Sequence, residues 1–229
     1  MGTIQEHISV VVPTLDAAGE LPTLLAALAD APAIAEVIVS DGGSRDATAA
    51  LARSAGARVI AAPRGRGMQL AAGAAAATGK WLLFLHADSR PVPGWQLAVE
   101  GFIAAPAAVA RAGYFALALD DESAAARRLE GIVAWRCRVL ALPYGDQGLL
   151  ISRALYEAVG GYAALPLMED VDLVRRLGRR RLAPLDAALR TSSGRYRREG
   201  YLRRPARNLL CLSLFFAGVP AARIARLYG

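Results

Sequence analysis

Adjacent acids at Glu169-Asp170, just ahead of a stretch with helical spacing, are the clearest candidates for proton transfer in this chain. One of the two can act as a general base, taking a proton from a hydroxyl nucleophile. The pair also suits the positive end of a helix dipole with no further role. Asp88 follows Trp81-Leu82-Leu83-Phe84-Leu85-His86-Ala87, the most apolar strand-like run. A carboxylate there fits a hard divalent cation bridging to phosphate, since magnesium often takes only one or two protein carboxylates. A turn cap ahead of Arg90-Pro91 is the plainer reading. Asp41 precedes Gly42-Gly43, whose glycines let a ligand approach the backbone, and it too suits a helix cap. Arg64-Gly65-Arg66-Gly67 joins cations and glycines ahead of a helix start, which suits phosphate oxygens or a solvated loop. Gly145-Asp146-Gln147-Gly148 is a polar loop between apolar stretches that could contact an acceptor or support the base.

The elements that must position these residues alternate clearly as far as Asp88. Ile8–Pro13, Glu36–Ser40, Arg58–Ala61 and Trp81–Leu85 read as strands. Gly19–Asp30 reads as a helix, with Leu21, Leu24, Leu25 and Leu28 at helical spacing, and so do Asp46–Ala55 and Gly67–Thr78. Strands apolar on both faces, with helices between them, argue for a mostly parallel sheet covered on both sides. In such α/β sheets ligands bind beyond the carboxyl ends of the strands. Those ends carry Thr14-Leu15-Asp16, Asp41-Gly42-Gly43, the Arg64–Gly67 loop and His86-Ala87-Asp88. Farther on, Gly94–Ala105, Glu122–Leu140 and Glu169–Arg180 read as helices, the last with Val171, Val174 and Leu177 on one face. Gly113–Leu119 and Gln147–Ser152 read as strands. The chain is arginine-rich from Arg190 to Arg207, apolar over Leu209–Val219, and ends in a short helix after Pro220.

Composition narrows the function classes. A chain of 229 residues with 55% hydrophobic residues can bury a real core, which excludes disorder for most of its length. Cys137 and Cys211 form no CxxC pattern, and neither His7 nor His86 lies near a cysteine, so a disulfide scaffold and structural zinc are not expected. The net charge of +7 is almost all arginine, with Lys80 the single lysine. This reflects either coding bias or an anionic partner. Nucleic acid is not the expected partner, because the basic residues do not alternate with aromatics on one face. The first turn lacks GxGxxG and no P-loop is present. No signal peptide is expected, and Leu209–Val219 falls short of the ~20 residues that span a bilayer. The expected location is the cytoplasm or the inner membrane surface.

Together the ordered set strand–PTLD, VSDGGSRD, basic turn, FLHADSRP, GDQG and MEDVDL resembles the family 2 inverting glycosyltransferases of the GT-A fold, in their small single-domain bacterial form. The resemblance covers roughly residues 8–190. It implies that Pro13, Thr14 and Asp16 line the nucleoside pocket, with Ala87 beside them, and that Asp41 accepts a hydrogen bond from the base, plausibly uracil. Arg64 and Gly67 then lie near the ribose or diphosphate. Asp88 matches the last acid of the family's DxD motif and would hold a divalent metal, magnesium or manganese. That motif is reduced here to His86-Ala87-Asp88, with one carboxylate. Asp170 matches the catalytic base, with Glu169 beside it. Asp146, Gln147 and Arg195 would contact acceptor or diphosphate. The implied reaction is transfer from a nucleoside diphosphate-sugar to an acceptor hydroxyl, non-processive because the QxxRW motif is missing.

Two other readings share this sheet. A sugar-phosphate nucleotidyltransferase usually carries a glycine-rich basic loop after the first strand, where this chain has Pro13-Thr14-Leu15-Asp16. A sugar-nucleotide binder without turnover would account for the reduced DxD. The expected division is a transferase domain over 1–194 and a helical tail over 195–229. Leu209, Leu210, Leu212, Leu214, Phe215 and Phe216 in this tail are apolar nearly all round a helix, which predicts burial on the domain, on a second copy or at a membrane surface.

Overall fold

A computed structural model describes residues 7–228, apart from the side chain of Arg195. The strands are β1 (Ile8–Thr14), β2 (Ile34–Asp41), β3 (Arg58–Ala61), β4 (Trp81–Phe84), β5 (Arg90–Pro91), β6 (Ala112–Leu119), β7 (Leu149–Ser152) and β8 (Leu182–Thr191). The helices are α1 (Leu21–Ala29), α2 (Thr48–Ser54), α3 (Arg66–Ala76), α4 (Trp95–Ala104), α5 (Ala124–Leu140), α6 (Arg153–Ala158), α7 (Glu169–Leu177), α8 (Gly194–Glu199), α9 (Arg203–Phe216) and α10 (Ala221–Tyr228). Among the described residues the strands form one eight-stranded sheet in the order β3-β2-β1-β4-β7-β6-β8-β5. The β3-β2-β1-β4 half is parallel, and so is β6-β8; β7 runs antiparallel to both its neighbours, as β5 does to β8.

The period of two along each strand splits its side chains between two cores. Ile8, Val10 and Val12 of β1, Trp81 and Leu83 of β4 and Leu150 of β7 pack with α1, α2 and α4 on one face. Val11, Leu82, Phe84, Leu149 and Ile151 pack with α3, α6 and α7 on the other. This explains why these strands read as continuous apolar runs. Further clusters seat α5 on β6 and join α7 to α9 and α10.

The sequence reading missed β5, α6 and β8. In β8 Ala183, Leu185, Leu189 and Thr191 are buried and Pro184, Asp186 and Arg190 exposed, an alternation that slips at Ala187-Ala188 where the register with β6 shifts between Tyr114 and Ala116, and that interruption hides the strand in the sequence. The expectation of a helix running to Arg180 also ends early, because Gly178 terminates α7 with φ 73°. The tail differs as well. It is not buried all round: Cys211 and Leu212 face the core, whereas Leu209, Leu210 and Phe216 are exposed.

Candidate active site

Two cavities open at the carboxyl ends of the strands, and His86, Asp88, Arg66 and Ser192 line both. The first, about 490 Å³, is bounded by Pro13, Thr14, Asp16, Arg64, Gln69 and Ala87. The second, about 130 Å³, is bounded by Asp146, Asp170, Tyr196, Arg204, Asn208 and Tyr228. Asp88 stands at their junction because β4 ends there and β5 pins the following residues to β8. Thr191, the last residue of β8, donates its hydroxyl to Asp88 Oδ2 at 3.1 Å.

The larger cavity is framed by a hydrogen-bonded loop. Asp41 does not line it. Its carboxylate accepts from Thr14 Oγ1 (3.1 Å), the Ser44 hydroxyl, and the N–H groups of Gly43 (3.1 Å) and Ser44 (3.0 Å). Burial alone would raise its pKa, but these donors outweigh burial and hold it below the usual carboxylate range. Four donors fill the acceptor capacity of a carboxylate, so Asp41 shapes the loop between β2 and α2. Asp16 ties that loop to β1 by accepting from Arg45 N at 2.7 Å. Gln69, which the sequence reading did not single out, donates to Thr14 O (2.6 Å) and Ser40 O (3.0 Å) and so fixes the ends of β1 and β2 together.

Gly67 also departs from the expectation of a ligand contact. A Cβ there would lie 2.3 Å from Ala163 O and 2.7 Å from Leu165 O, and its N–H donates to Leu165 O at 3.2 Å. The missing side chain admits the segment that leads into α7, not a ligand.

That segment delivers the adjacent acids. Met168 adopts a left-handed backbone (φ 65°), a conformation that costs a non-glycine residue about 1–2 kcal/mol, and its buried side chain holds it there. With Val171 and Val174 packed inward, Asp170 reaches the smaller cavity. Its Oδ2 accepts from Gly145 N at 2.7 Å and its Oδ1 from Val171 N at 2.7 Å. Gly145 is the meeting point of the site: a Cβ there would lie 2.8 Å from His86 Nε2 and 3.4 Å from Asp170 Oδ2.

Glu169 turns the other way. It is 1% exposed and pairs through Oε1 with Arg66 Nη1 at 3.5 Å, while Oε2 has no hydrogen-bond partner among the described residues. Burial, then the neighbouring Asp170 carboxylate, push its pKa up to about 7 against the pull of Arg66. Asp146 lines the smaller cavity, and burial raises its pKa as well, with Asp170 and Asp88 adding to the effect and Arg136 opposing it. Gln147 does not face the cavity. It is buried, donates to Phe115 O (3.0 Å), and accepts from Arg136 Nη2 (2.9 Å) and Tyr144 N (3.2 Å), so it braces the turn that carries Asp146. Arg195 lies in α8, and its side chain is outside the described residues.

The far wall is built by the tail. Arg204 is buried, with Nη1 on Glu199 Oε1 (2.8 Å) and Nη2 on the Tyr228 hydroxyl (3.2 Å). The resemblance points to the arginines near 195–204 as a C-terminal region that folds over the diphosphate, but no sequence spacing marked Tyr196, Arg204 or Tyr228 as neighbours of Asp170. Arg66, by contrast, was legible as the second arginine of the glycine-rich loop.

The profile of glycosyl transferase family 2 matches residues 9–148, more than half of the chain. The chain belongs to glycosyl transferase family 2. Its sheet is that of the GT-A fold, and it is a glycosyltransferase. Among solved structures, glucosyl-3-phosphoglycerate synthase from Mycobacterium tuberculosis, in complex with Mn2+, uridine-diphosphate and glucosyl-3-phosphoglycerate, superposes with a TM-score of 0.55 at 23% identity, over 82% of this chain and 70% of that one. The same enzyme with Mn2+, uridine-diphosphate-glucose and phosphoglyceric acid gives 0.56 at 23% identity over the same shares. No curated protein matches the chain. The family match ends at Gly148, so it covers Asp88, Asp146 and the wall of the larger cavity apart from Pro166 and Ser192, but not Asp170 or the tail.

Proposed function

We propose that this glycosyltransferase moves a sugar from a nucleoside diphosphate-sugar to an acceptor hydroxyl by one inverting displacement. The observation that carries the reading is the position of Asp88 between two cavities, one framed by β1, β3 and β4 and the other holding Asp170. The larger cavity suits the nucleoside diphosphate, with Pro13, Thr14, Asp16 and Ala87 on its wall and Arg64 and Arg66 toward the phosphates. Uridine is the base we assign, as in the similar mycobacterial enzyme. The smaller cavity takes the acceptor.

Asp170 is the base. It takes the acceptor proton, and the Gly145 N–H keeps its carboxylate aimed into the cavity. Glu169 is a positioning residue that holds Arg66, whose cation balances the charge gathering on the leaving diphosphate. A single displacement from the face opposite the diphosphate inverts the anomeric carbon.

The family implies a divalent cation. No group of three His, Cys, Asp or Glu among the described residues is placed to hold one alone. The residues fit a cation that shares its shell with the donor: Asp88 offers one carboxylate at the cavity junction, as magnesium or manganese sites on phosphate often do. When bound, the metal would offset negative charge on the diphosphate. The deciding experiment is a thermal-shift screen of nucleoside diphosphates with and without manganese. Ligand at a hundredfold its Kd stabilises by about 2.7 kcal/mol. A chain that no nucleoside diphosphate stabilises does not have this function.

A further inference from the structure

We infer that the outward face of α9, with α10 beside it, docks on an anionic lipid bilayer. The face is apolar where a solvated helix would be polar. Leu202, just before α9, is 85% exposed, Leu209 63%, Leu210 57% and Phe216 47%. Leu202, Leu209 and Phe216 recur every seven residues, two turns apart, so they share one side of the helix. The opposite side is conventional: Arg204, Cys211 and Leu212 are buried against the domain. Leu227 of α10 adds another exposed apolar side chain, at 62%.

The charge around this face selects the partner. From Gly200 to the last residue the sequence holds five arginines, at 203, 204, 207, 223 and 226, and no Asp or Glu. Arg203, Arg223 and Arg226 are exposed, as are Arg197 and Arg198 of α8. A two-fold contact with a second copy would bring two patches of the same positive charge together. An anionic bilayer supplies the opposite charge and an apolar layer together, the combination that holds an amphipathic helix in the plane of a membrane. The fourteen residues of α9 are too few to cross one.

Helix α5 carries a matching stripe. Ile132, Trp135, Val139 and Leu140 are exposed at helical spacing. Tyr196 and Tyr201 pack against the cluster that seats α5 on β6, and Leu142, just past the end of α5, shares a cluster with Cys211 and Leu212 of α9. The inner side of α9 supplies Arg204 and Asn208 to the smaller cavity, so docking by the outer side would set that cavity about one helix diameter, roughly 10 Å, from the lipid surface.

The test is flotation of the full chain with phosphatidylcholine vesicles, with and without phosphatidylglycerol. Wild type should float with the phosphatidylglycerol vesicles, stay behind with phosphatidylcholine alone, and be released by high salt. The double variant Leu202→Glu, Leu209→Glu should lower the bound fraction at least roughly tenfold, since it puts charge on the inserting face. Its melting point and its stabilisation by a nucleoside diphosphate should stay at wild-type values, because neither leucine lines a cavity. Arg223→Gln with Arg226→Gln provides an independent variant that alters charge alone and should weaken flotation. Equal flotation with both vesicle types, or none with either, overturns the inference. So does a chain that sediments as a dimer until Leu209→Glu separates it. A wild type that floats as expected but binds no nucleotide would leave the docking face standing and remove the transferase assignment of its cavities.

Discussion

The two halves of the cleft are made differently. The larger cavity rests on consecutive parallel strands, β1 to β4, whose turns all open on one edge and whose residues are close in sequence. The smaller cavity draws Asp146 from a turn, Asp170 from α7, Thr191 from the end of β8, and Arg204 and Tyr228 from the tail. The first is set mainly by the topology of those strands, with Pro166 and Ser192 closing it from later in the chain. The second exists only when α7, β8, α9 and α10 have docked, and its chemistry depends on which way each side chain turns.

That contrast is sharpest at Glu169 and Asp170, so the largest expected effect lies there. Asp170→Asn should lower turnover by about 10²–10⁴-fold while leaving the melting shift with nucleoside diphosphate unchanged. Steady-state kinetics and thermal shift on one preparation decide it. Near-normal turnover would return the acceptor half to a structural role and move the base to Asp146 or His86.

Glu169→Gln probes the wall between the halves. The folded pKa of Glu169 is about 7, above its ordinary value of 4.5, so the native chain binds more protons than the unfolded chain between those values. Stability therefore falls as pH rises through that window and levels off above it. The Gln variant should lose this slope, worth up to roughly 3 kcal/mol, and become more stable than wild type above pH 7. Denaturant midpoints across that pH range measure it. An unchanged slope would mean that Arg66 fully compensates the buried charge.

Asp88→Ala tests the junction. It should weaken binding of a nucleoside diphosphate with manganese by roughly 10–100-fold, the scale seen when metal-site groups are removed, and hardly alter binding of the bare nucleoside. Calorimetric titration with UDP and with uridine separates the two. Equal losses would place Asp88 with the loop-shaping residues.

The smallest effect is expected at Asp41→Ala. The variant leaves Thr14, Ser44 and Gly43 donors without their acceptor at a partly exposed site, a cost of about 1 kcal/mol. Discrimination among UDP, GDP, ADP and CDP should relax only as far as the loop loosens. Complete loss of base preference in a variant as stable as wild type would instead show that the carboxylate leaves the turn to meet the base.

The sequence by itself determined the parallel half of the sheet and the positions at its strand ends. The physical reason is local: a strand buried on both faces must be apolar throughout, helices between strands must repeat near 3.6, and α/β sheets place ligands at strand carboxyl ends. Pro13, Thr14, Asp16, Arg64, Ala87 and Asp88 were legible on those grounds and all line the larger cavity. Only the tertiary structure decided the rest. Asp41 and Gln147 look the same in sequence whether they face a ligand or brace a turn; the donors packed around them set the answer. Nor does the sequence say that the Cβ of residue 67 has no room beside Leu165, or that Arg204 meets the Tyr228 hydroxyl. The alternation of β8 is interrupted where its register with β6 shifts, so only the pairing reveals the whole strand. Neighbouring acids at the start of α7 point ~100° apart, and the left-handed backbone of Met168 fixes which one meets the cavity.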